Sequence, residues 1–245
     1  MSRMLFPTPT ENHPGEEALA APVPPIEAVL FDFSNTLFRM IPVEEWVRRI
    51  AERTGRRGVL DAPGAPDAIA DRVAEAMALP EVAAAQVGRD SSRERHRAAM
   101  EALFSRVEFL AGAEEAAYQE LCAPDAWVPY PDTEPVLRAL RERGLPVGIV
   151  SDFGWDLRTH LRRFGLDGLI GSVVLSCDLG REKPDPQLFL KACAELGADP
   201  RRSLMVGDNP VRDGGANAVG LRAYILAGEQ RTGERGLAEV LRLVG

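Results

Sequence analysis

The sequence predicts an α/β protein built on a parallel sheet, and three observations predict it. Five short apolar runs rich in β-branched residues stand apart along the chain, and their near-continuous apolarity suits strands covered on both faces. The segments between them repeat apolar residues at helical spacing and carry start and stop signals. Strands and helices alternate instead of clustering by type, which is the pattern of a doubly wound sheet.

Residues 1–25 (MSRMLFPTPTENHPGEEALAAPVPP) mix proline, acids and polar residues without a sustained apolar run, so they read as a flexible lead-in and not a signal peptide. The first strand is AVLFDF (28–33). The alternation then breaks, with helical patterns at roughly 43–55, 66–79, 90–109 and 113–122, dominated by alanine, glutamate and arginine. A helical insert over 41–125 accounts for this stretch, leaving a core of 26–40 plus 126–245. Within the core, 133–143 places Val136, Leu137 and Leu140 on one face, with Gly144 closing the helix. The second strand, PVGIVS (146–151), leads to a helix over 155–164 whose Leu157, Leu161 and Phe164 share a face. After SVVLSC (172–177) comes the best-marked helix, 186–196. It has Asp185 as N-cap, Pro186 at its first position, an apolar stripe of Leu188, Phe189, Ala192, Cys193 and Leu196, and Gly197 after its end. SLMVGD (203–208) and RAYILA (222–227) are the last two strands.

Composition narrows the function classes. The 245 residues hold 29 basic and 37 acidic side chains, a formal net charge of −8. No long basic block marks a nucleic-acid surface, and a negative protein that handles phosphate esters needs a local cation. No apolar run approaches the roughly 20 residues of a membrane span. Cys122, Cys177 and Cys193 are widely spaced without CxxC pairing, which suits a reducing cytoplasm. A soluble, cytoplasmic protein acting on a small molecule is the expectation; oligomeric state is not legible.

In open parallel sheets ligands gather beyond the carboxyl ends of the strands. Those ends carry Asp32, Ser151, Lys183 (in the loop after the third strand) and Asp208. Any one of them is more often a solvated loop residue than a catalytic group, but four after different strands form a constellation. A carboxylate at Asp32 can attack an electrophile and form a covalent intermediate. Asp208 beside it would repel it unless a divalent cation such as magnesium, which prefers oxygen ligands, sat between them. Ser151 can donate a hydrogen bond to a transferring phosphoryl oxygen, and Lys183 can neutralise its charge.

Four segments, DFSNTLF (32–38), IVSDFG (149–154), GREKPDP (180–186) and VGDNPVRDGGANAVG (206–220), resemble the ordered motifs of the haloacid dehalogenase (HAD) superfamily. The resemblance spans about residues 27–227 and implies a Rossmann-like parallel sheet core with an inserted all-helical cap domain after the first motif. It implies Asp32 as nucleophile and metal ligand, the backbone carbonyl of Ser34 as a second ligand and Asp208 as a third. Asp213 would orient a water or support the metal shell. Thr36 would help fix the first loop and, with Ser151, Asp152 and Lys183, complete the substrate-facing set. Asp32, Ser34, Ser151 and Lys183 make up the implied catalytic group, and Mg2+ the implied cofactor.

The sequence departs from that pattern at one telling place. Phosphatases of the family carry Asp two residues after the nucleophile as general acid and base; here the position is Ser34. A hydroxyl without an adjacent base cannot do that work at neutral pH, and general acid–base catalysis is typically worth about 10²–10⁴-fold. Other branches place Tyr, Ala or Thr there, and Ser34 is nearest to the Thr case, where the aspartyl phosphate is meant to persist. The next residue, Asn35, replaces a usual glycine and tolerates left-handed angles better than most. Asp152 stands where the family often has Asn, and would repel a phosphate unless paired with an arginine such as Arg158. Candidates for a replacement acid are His96, Glu44 and Glu45, each more often a solvated or helix-start charge. His13 and His160 give no signal, and Trp46, Trp127 and Trp155 read as packing at the junction of insert and core. The expected activity is Mg-dependent hydrolysis of a small phosphorylated metabolite. The alternatives are a catalytically weak binding or regulatory protein and a dehalogenase-type hydrolase, the latter disfavoured by the absence of Tyr at 34.

Overall fold

The computed structural model describes residues 23–60, 64–228 and 232–245. The lead-in expected over 1–25, with His13, lies outside them except for its last three residues. Five parallel strands form the central sheet: β1 (Ala28–Phe31), β4 (Val147–Ser151), β5 (Ser172–Leu175), β6 (Ser203–Gly207) and β7 (Arg222–Ile225), in the order β5-β4-β1-β6-β7. These are the five apolar runs, in the parallel arrangement that their two-sided burial implies. β2 (Phe38–Met40) and β3 (Trp127–Pro129) make a separate antiparallel ribbon that closes the two ends of the insert together. That ribbon was not expected, because three-residue strands containing arginine or proline carry almost no pattern.

Alternation along β1 divides the core. Val29 and Phe31 face one layer with Leu137, Leu140 and Ile149, while Leu30 faces the other with Val150, Leu188, Phe189 and Met205. Each of these fully buried side chains contributes roughly 1.5–3 kcal/mol by leaving water. The 186–196 helix lies across β4 and β5, and the Asp185 carboxylate accepts from the Gln187 amide at its start while Gly197 ends it at φ +67°.

The insert is helical as expected, with α1 (Val43–Thr54), α2 (Ala65–Met77), α3 (Pro80–Gln86), α4 (Arg93–Phe104) and α5 (Glu114–Leu121). Two expectations need correcting. The pattern over 66–79 is followed by a separate helix, because Pro80 cannot continue α2 but suits the first position of α3. The 90–109 pattern begins only at Arg93, where Ser92 caps the helix by accepting from the Arg95 amide. In the core, the expected 155–164 helix shrinks to Arg158–Arg163, since the Asp156 carboxylate takes the Arg158 amide and turns the chain just before it.

The carboxyl-terminal segment is stitched back to the core by one buried carboxylate. Asp132 accepts three backbone N–H groups, from Arg235 (2.9 Å), Gly236 (2.8 Å) and Leu237 (2.8 Å). Arg235 in turn donates through Nε to the Asn35 carbonyl at 2.6 Å and through Nη1 to that of Ala227 at 2.9 Å. No helix among the described residues is long and apolar enough to cross a membrane. Asp132→Ala leaves three donors without their acceptor and is expected to cost about 3 kcal/mol, read as a lower urea midpoint. A loss under about 1 kcal/mol would show that another contact holds the segment.

Candidate active site

The sheet order dictates where the chemistry collects. β1 lies between β4 and β6, so the residues that follow their carboxyl ends meet in one cleft. Asp32 leaves the end of β1 with its amide donating to the Val206 carbonyl of β6 at 2.8 Å. The chain then turns sharply, the amides of Leu37 and Phe38 both donating to the Phe33 carbonyl, at 3.0 and 2.9 Å. Asn35 adopts φ +54° in this turn, the left-handed conformation expected of it.

Lys183 is the centre of the site. Its ammonium, 5% exposed, donates to Asp32 Oδ1 at 2.8 Å and to Asp213 Oδ1 at 2.6 Å. The other Asp213 oxygen accepts from the Asn209 amide at 2.9 Å. Gly207 makes room for it, since a Cβ there would stand 2.1 Å from Asp213 Oδ2. Asp208 completes the group: single carboxylate oxygens of Asp32, Asp208 and Asp213 all lie within 4.8 Å of one another. Three carboxylates therefore face one ammonium. Burial pushes the Asp32 carboxyl up to about 6; Lys183 offsets part of that, and the neighbouring Asp213 charge adds to it. Asp208 is also raised, by burial first and then by Asp213. Burial alone would lower Lys183, but Asp32, Asp213 and Asp152 outweigh it and hold the ammonium charged.

Of the residues singled out from sequence, Asp32, Ser34, Ser151, Asp152, Lys183, Asp208 and Asp213 all line one cleft of about 480 Å³. Ser151 is 1% exposed, and its hydroxyl has no hydrogen-bond partner among the described residues. Thr36 does not line the cleft; it is fully buried beneath the turn. Asp152 does, but both of its oxygens are engaged, accepting the Lys183 amide at 2.8 Å and Arg212 Nη1 at 2.7 Å. The arginine that neutralises it is thus Arg212 and not Arg158, which goes instead to Asp156 and to the Val173 carbonyl.

The insert supplies Gln86, Arg89 and Asp90 to the same cleft, three residues that sequence reasoning missed. Its docking is specific. Ser176 Oγ accepts the Phe153 amide and donates to the Asp90 carbonyl at 2.6 Å, while the Asp90 amide donates to Glu182 Oε1 at 2.9 Å. His96, expected on a solvated face, is buried instead. It packs against Gly154, lies tilted against Trp155 at 5.0 Å between ring centroids and contacts the Tyr118 hydroxyl through Nδ1 at 3.2 Å. Burial, helped by Arg89, lowers it to about 4, so it is neutral at neutral pH and cannot serve as the missing acid. Glu44 and Glu45 are helix-start charges of α1, as the simpler reading had it, and Glu45 is occupied by Arg48 and Arg49. His160, which gave no signal, bridges the junction. Its Nε2 accepts from Trp155 Nε1 at 3.0 Å, and its Nδ1 donates to the Pro124 carbonyl at 3.1 Å.

Comparison with known proteins identifies relatives of the chain. The family model for haloacid dehalogenase-like hydrolases matches residues 26–220. A glyceraldehyde 3-phosphate phosphatase of Methanopyrus kandleri is 31% identical over 204 residues, covering 80% of this chain and 82% of that protein. A phosphoserine phosphatase of Thermus thermophilus is 40% identical over 96 residues, 38% of this chain and 39% of its own length. Among solved structures, a HAD phosphatase from Thermococcus onnurineus aligns with a TM-score of 0.59 at 24% identity, over 90% of this chain and 98% of that one. A 2-haloacid dehalogenase from Pseudomonas syringae aligns with a TM-score of 0.60 at 19% identity, over 89% and 98%. At such identities the structural likenesses speak for the fold alone, and do not choose between the two reactions.

The contact of His96 with Gly154 gives a direct test of docking, because a Cβ on Gly154 would stand 2.1 Å from His96 Cγ. Gly154→Ala is expected to cost about 1–3 kcal/mol. Amide exchange should quicken over 89–104 while β1 and β6 stay protected. Unchanged exchange over 89–104 would mean that this contact does not hold the insert.

Proposed function

The chain belongs to the haloacid dehalogenase-like hydrolase family, and from that premise we propose that it hydrolyses a small phosphorylated metabolite through Asp32, with magnesium as cofactor. The observation that carries the reading is the buried Lys183 ammonium held between Asp32 and Asp213. It fixes one Asp32 oxygen at the cleft, while adding positive charge where a phosphoryl group would develop negative charge. The unpartnered Ser151 hydroxyl in the same cleft is a ready donor to a phosphoryl oxygen. The polar lining, with Arg89 and Arg212 on it, suits an anionic substrate. The relative aligned over most of both chains bears the name of a phosphatase.

The donor set fits magnesium. Asp32, Asp208 and Asp213 offer only oxygen, and their raised or buried carboxylates carry more negative charge than Lys183 cancels. Asp32, Asp208 and the Ser34 carbonyl would hold the ion, with Asp213, already bonded to Lys183 and Asn209, supporting the shell. When bound, the ion neutralises charge on the phosphoryl oxygens and on the carboxylates. Asp152 and Arg212 have a positioning role, since Asp152 fixes the Lys183 backbone. In this reading residues 26–40 and 126–245 form the core and 41–125 form a cap that shuts water out of the cleft. The junction between them is the β2–β3 ribbon and the aromatic group of Phe33, Trp127, Phe153 and Trp155.

Purified protein with 4-nitrophenyl phosphate is expected to release phosphate only with magnesium, and Asp32→Asn should reduce release to the uncatalysed rate. Magnesium at about 100 times its dissociation constant should stabilise the wild type by about 2.7 kcal/mol in thermal melts, and Asp208→Asn should lose that gain. Turnover that survives Asp32→Asn would overturn the nucleophile. Tight phosphate binding without turnover would instead favour a binding protein.

A further inference from the structure

We infer that Asp90, brought into the cleft by the helical insert, is the proton donor and acceptor that replaces the acid missing at Ser34. The inference rests on the phosphate-hydrolysis reading above and adds a catalytic residue to it. Asp90 lines the same cleft as Asp32 and Ser34, although it lies in a different part of the chain. Its placement is built from both sides of one residue: the core takes its amide through Glu182 and its carbonyl through Ser176. Glu182 directly precedes Lys183 and faces Arg212 at 3.7 Å. Arg212 pairs with Asp152, and Asp152 holds the Lys183 amide. The backbone of Asp90 is therefore fixed relative to the same loop that fixes the nucleophile, which is the preorganisation that proton transfer demands.

Its surroundings suit the role. The carboxyl is 12% exposed, with Arg89 Nε at 3.4 Å on one oxygen and His96 Nε2 at 3.8 Å from the other. The second distance is too long for a hydrogen bond, and His96 is neutral, so the cations near it are Arg89, in contact, and Arg212 beyond. Burial pushes Asp90 up to about 6, with Arg89 opposing and the charges of Glu182 and Asp152 adding. A carboxyl poised there can both give and take a proton near neutral pH, which an ordinary surface aspartate does poorly. Among the other candidates, His96 is held neutral behind Trp155, and neither Glu44 nor Glu45 reaches the cleft.

The steps balance. As an Asp32 oxygen bonds to phosphorus, the bond from phosphorus to the ester oxygen breaks, and the departing oxygen takes the Asp90 proton to leave as an alcohol. Water then attacks the phosphorus of the aspartyl phosphate, its proton passes to the Asp90 carboxylate, and Asp32 leaves as a free carboxylate. Ester and water become alcohol and phosphate, and both carboxyl groups return to their starting states.

The test is the dependence of kcat/KM on leaving-group acidity, with 4-nitrophenyl, phenyl and 4-methoxyphenyl phosphates as probes of nearly constant shape. Asp90→Asn keeps the two backbone anchors, so the insert should still dock. It is expected to lose about 10²-fold or more on phenyl and 4-methoxyphenyl phosphate, whose leaving groups need a proton, and only a few-fold on 4-nitrophenyl phosphate. Ser34→Asp in the Asp90→Asn background should recover the shallow dependence of the wild type. Equal losses across the series, or no loss, overturn the role of Asp90 alone. Turnover that persists in Asp32→Asn, or none in the wild type, overturns the phosphate-hydrolysis reading and this role with it.

Discussion

One buried ammonium sets the terms for the rest of the site. Lys183 sits among Asp32, Asp213 and Asp208 with almost no access to water, and isolated charges at that depth would cost several kcal/mol each. Pairing makes the arrangement tolerable without making it neutral. Burial raises Asp32 and Asp208, the neighbouring Asp213 charge adds to both, and three carboxylates facing one ammonium leave a surplus of negative charge. Features elsewhere serve this cluster. Gly207 admits Asp213, the Asn209 amide occupies its second oxygen, and Asp152 aims the lysine loop. Arg212 then offsets Asp152, so the extra carboxylate in the second motif belongs to the scaffold around the lysine.

The helical insert is joined to this cluster by more than its two connections. Aromatic rings from the turn after β1 (Phe33), the ribbon (Trp127) and the segment after β4 (Phe153, Trp155) pack together, and His96 of α4 rests on the last of them. A displacement of the insert must therefore disturb rings that touch the turn carrying Asp32. A polar contact adds to the link, where Arg93 reaches Asp178 at 2.6 Å. The insert and the turn after β1 therefore share one packed aromatic group.

Much of this was legible in the residues. The five strands followed from apolar runs, because parallel strands buried on both faces leave no other pattern, and their carboxyl ends picked out Asp32, Ser151 and Asp208 directly. The left-handed Asn35 followed from its side-chain chemistry. What was not legible depends on distant partners. The choice of Arg212 over Arg158 for Asp152 is made by how two loops fold toward each other, and both arginines look alike in one dimension. RERHRAAM reads as a solvated helix face, yet Gly154, far along the chain, offers a flat surface that buries His96. Asp90 was hidden for the same reason, since an aspartate at a loop carries no mark until the sheet brings Glu182 and Ser176 against its backbone.

The link from Arg235 to Asn35 spans 200 residues, and it carries a consequence for how the protein is made. During synthesis β1 and the turn after it emerge early, while β6, which must pair with β1, and Arg235, which props that turn beside Asp32, emerge late. Contacts this distant in sequence form slowly, and a growing chain cannot form them before both partners exist. A chain cut short before residue 203 would thus hold Asp32 and Lys183 but lack β6 and, after it, Asp208 and Asp213. Such a fragment would carry the first three motifs in its sequence and only part of the charge arrangement that gives them meaning.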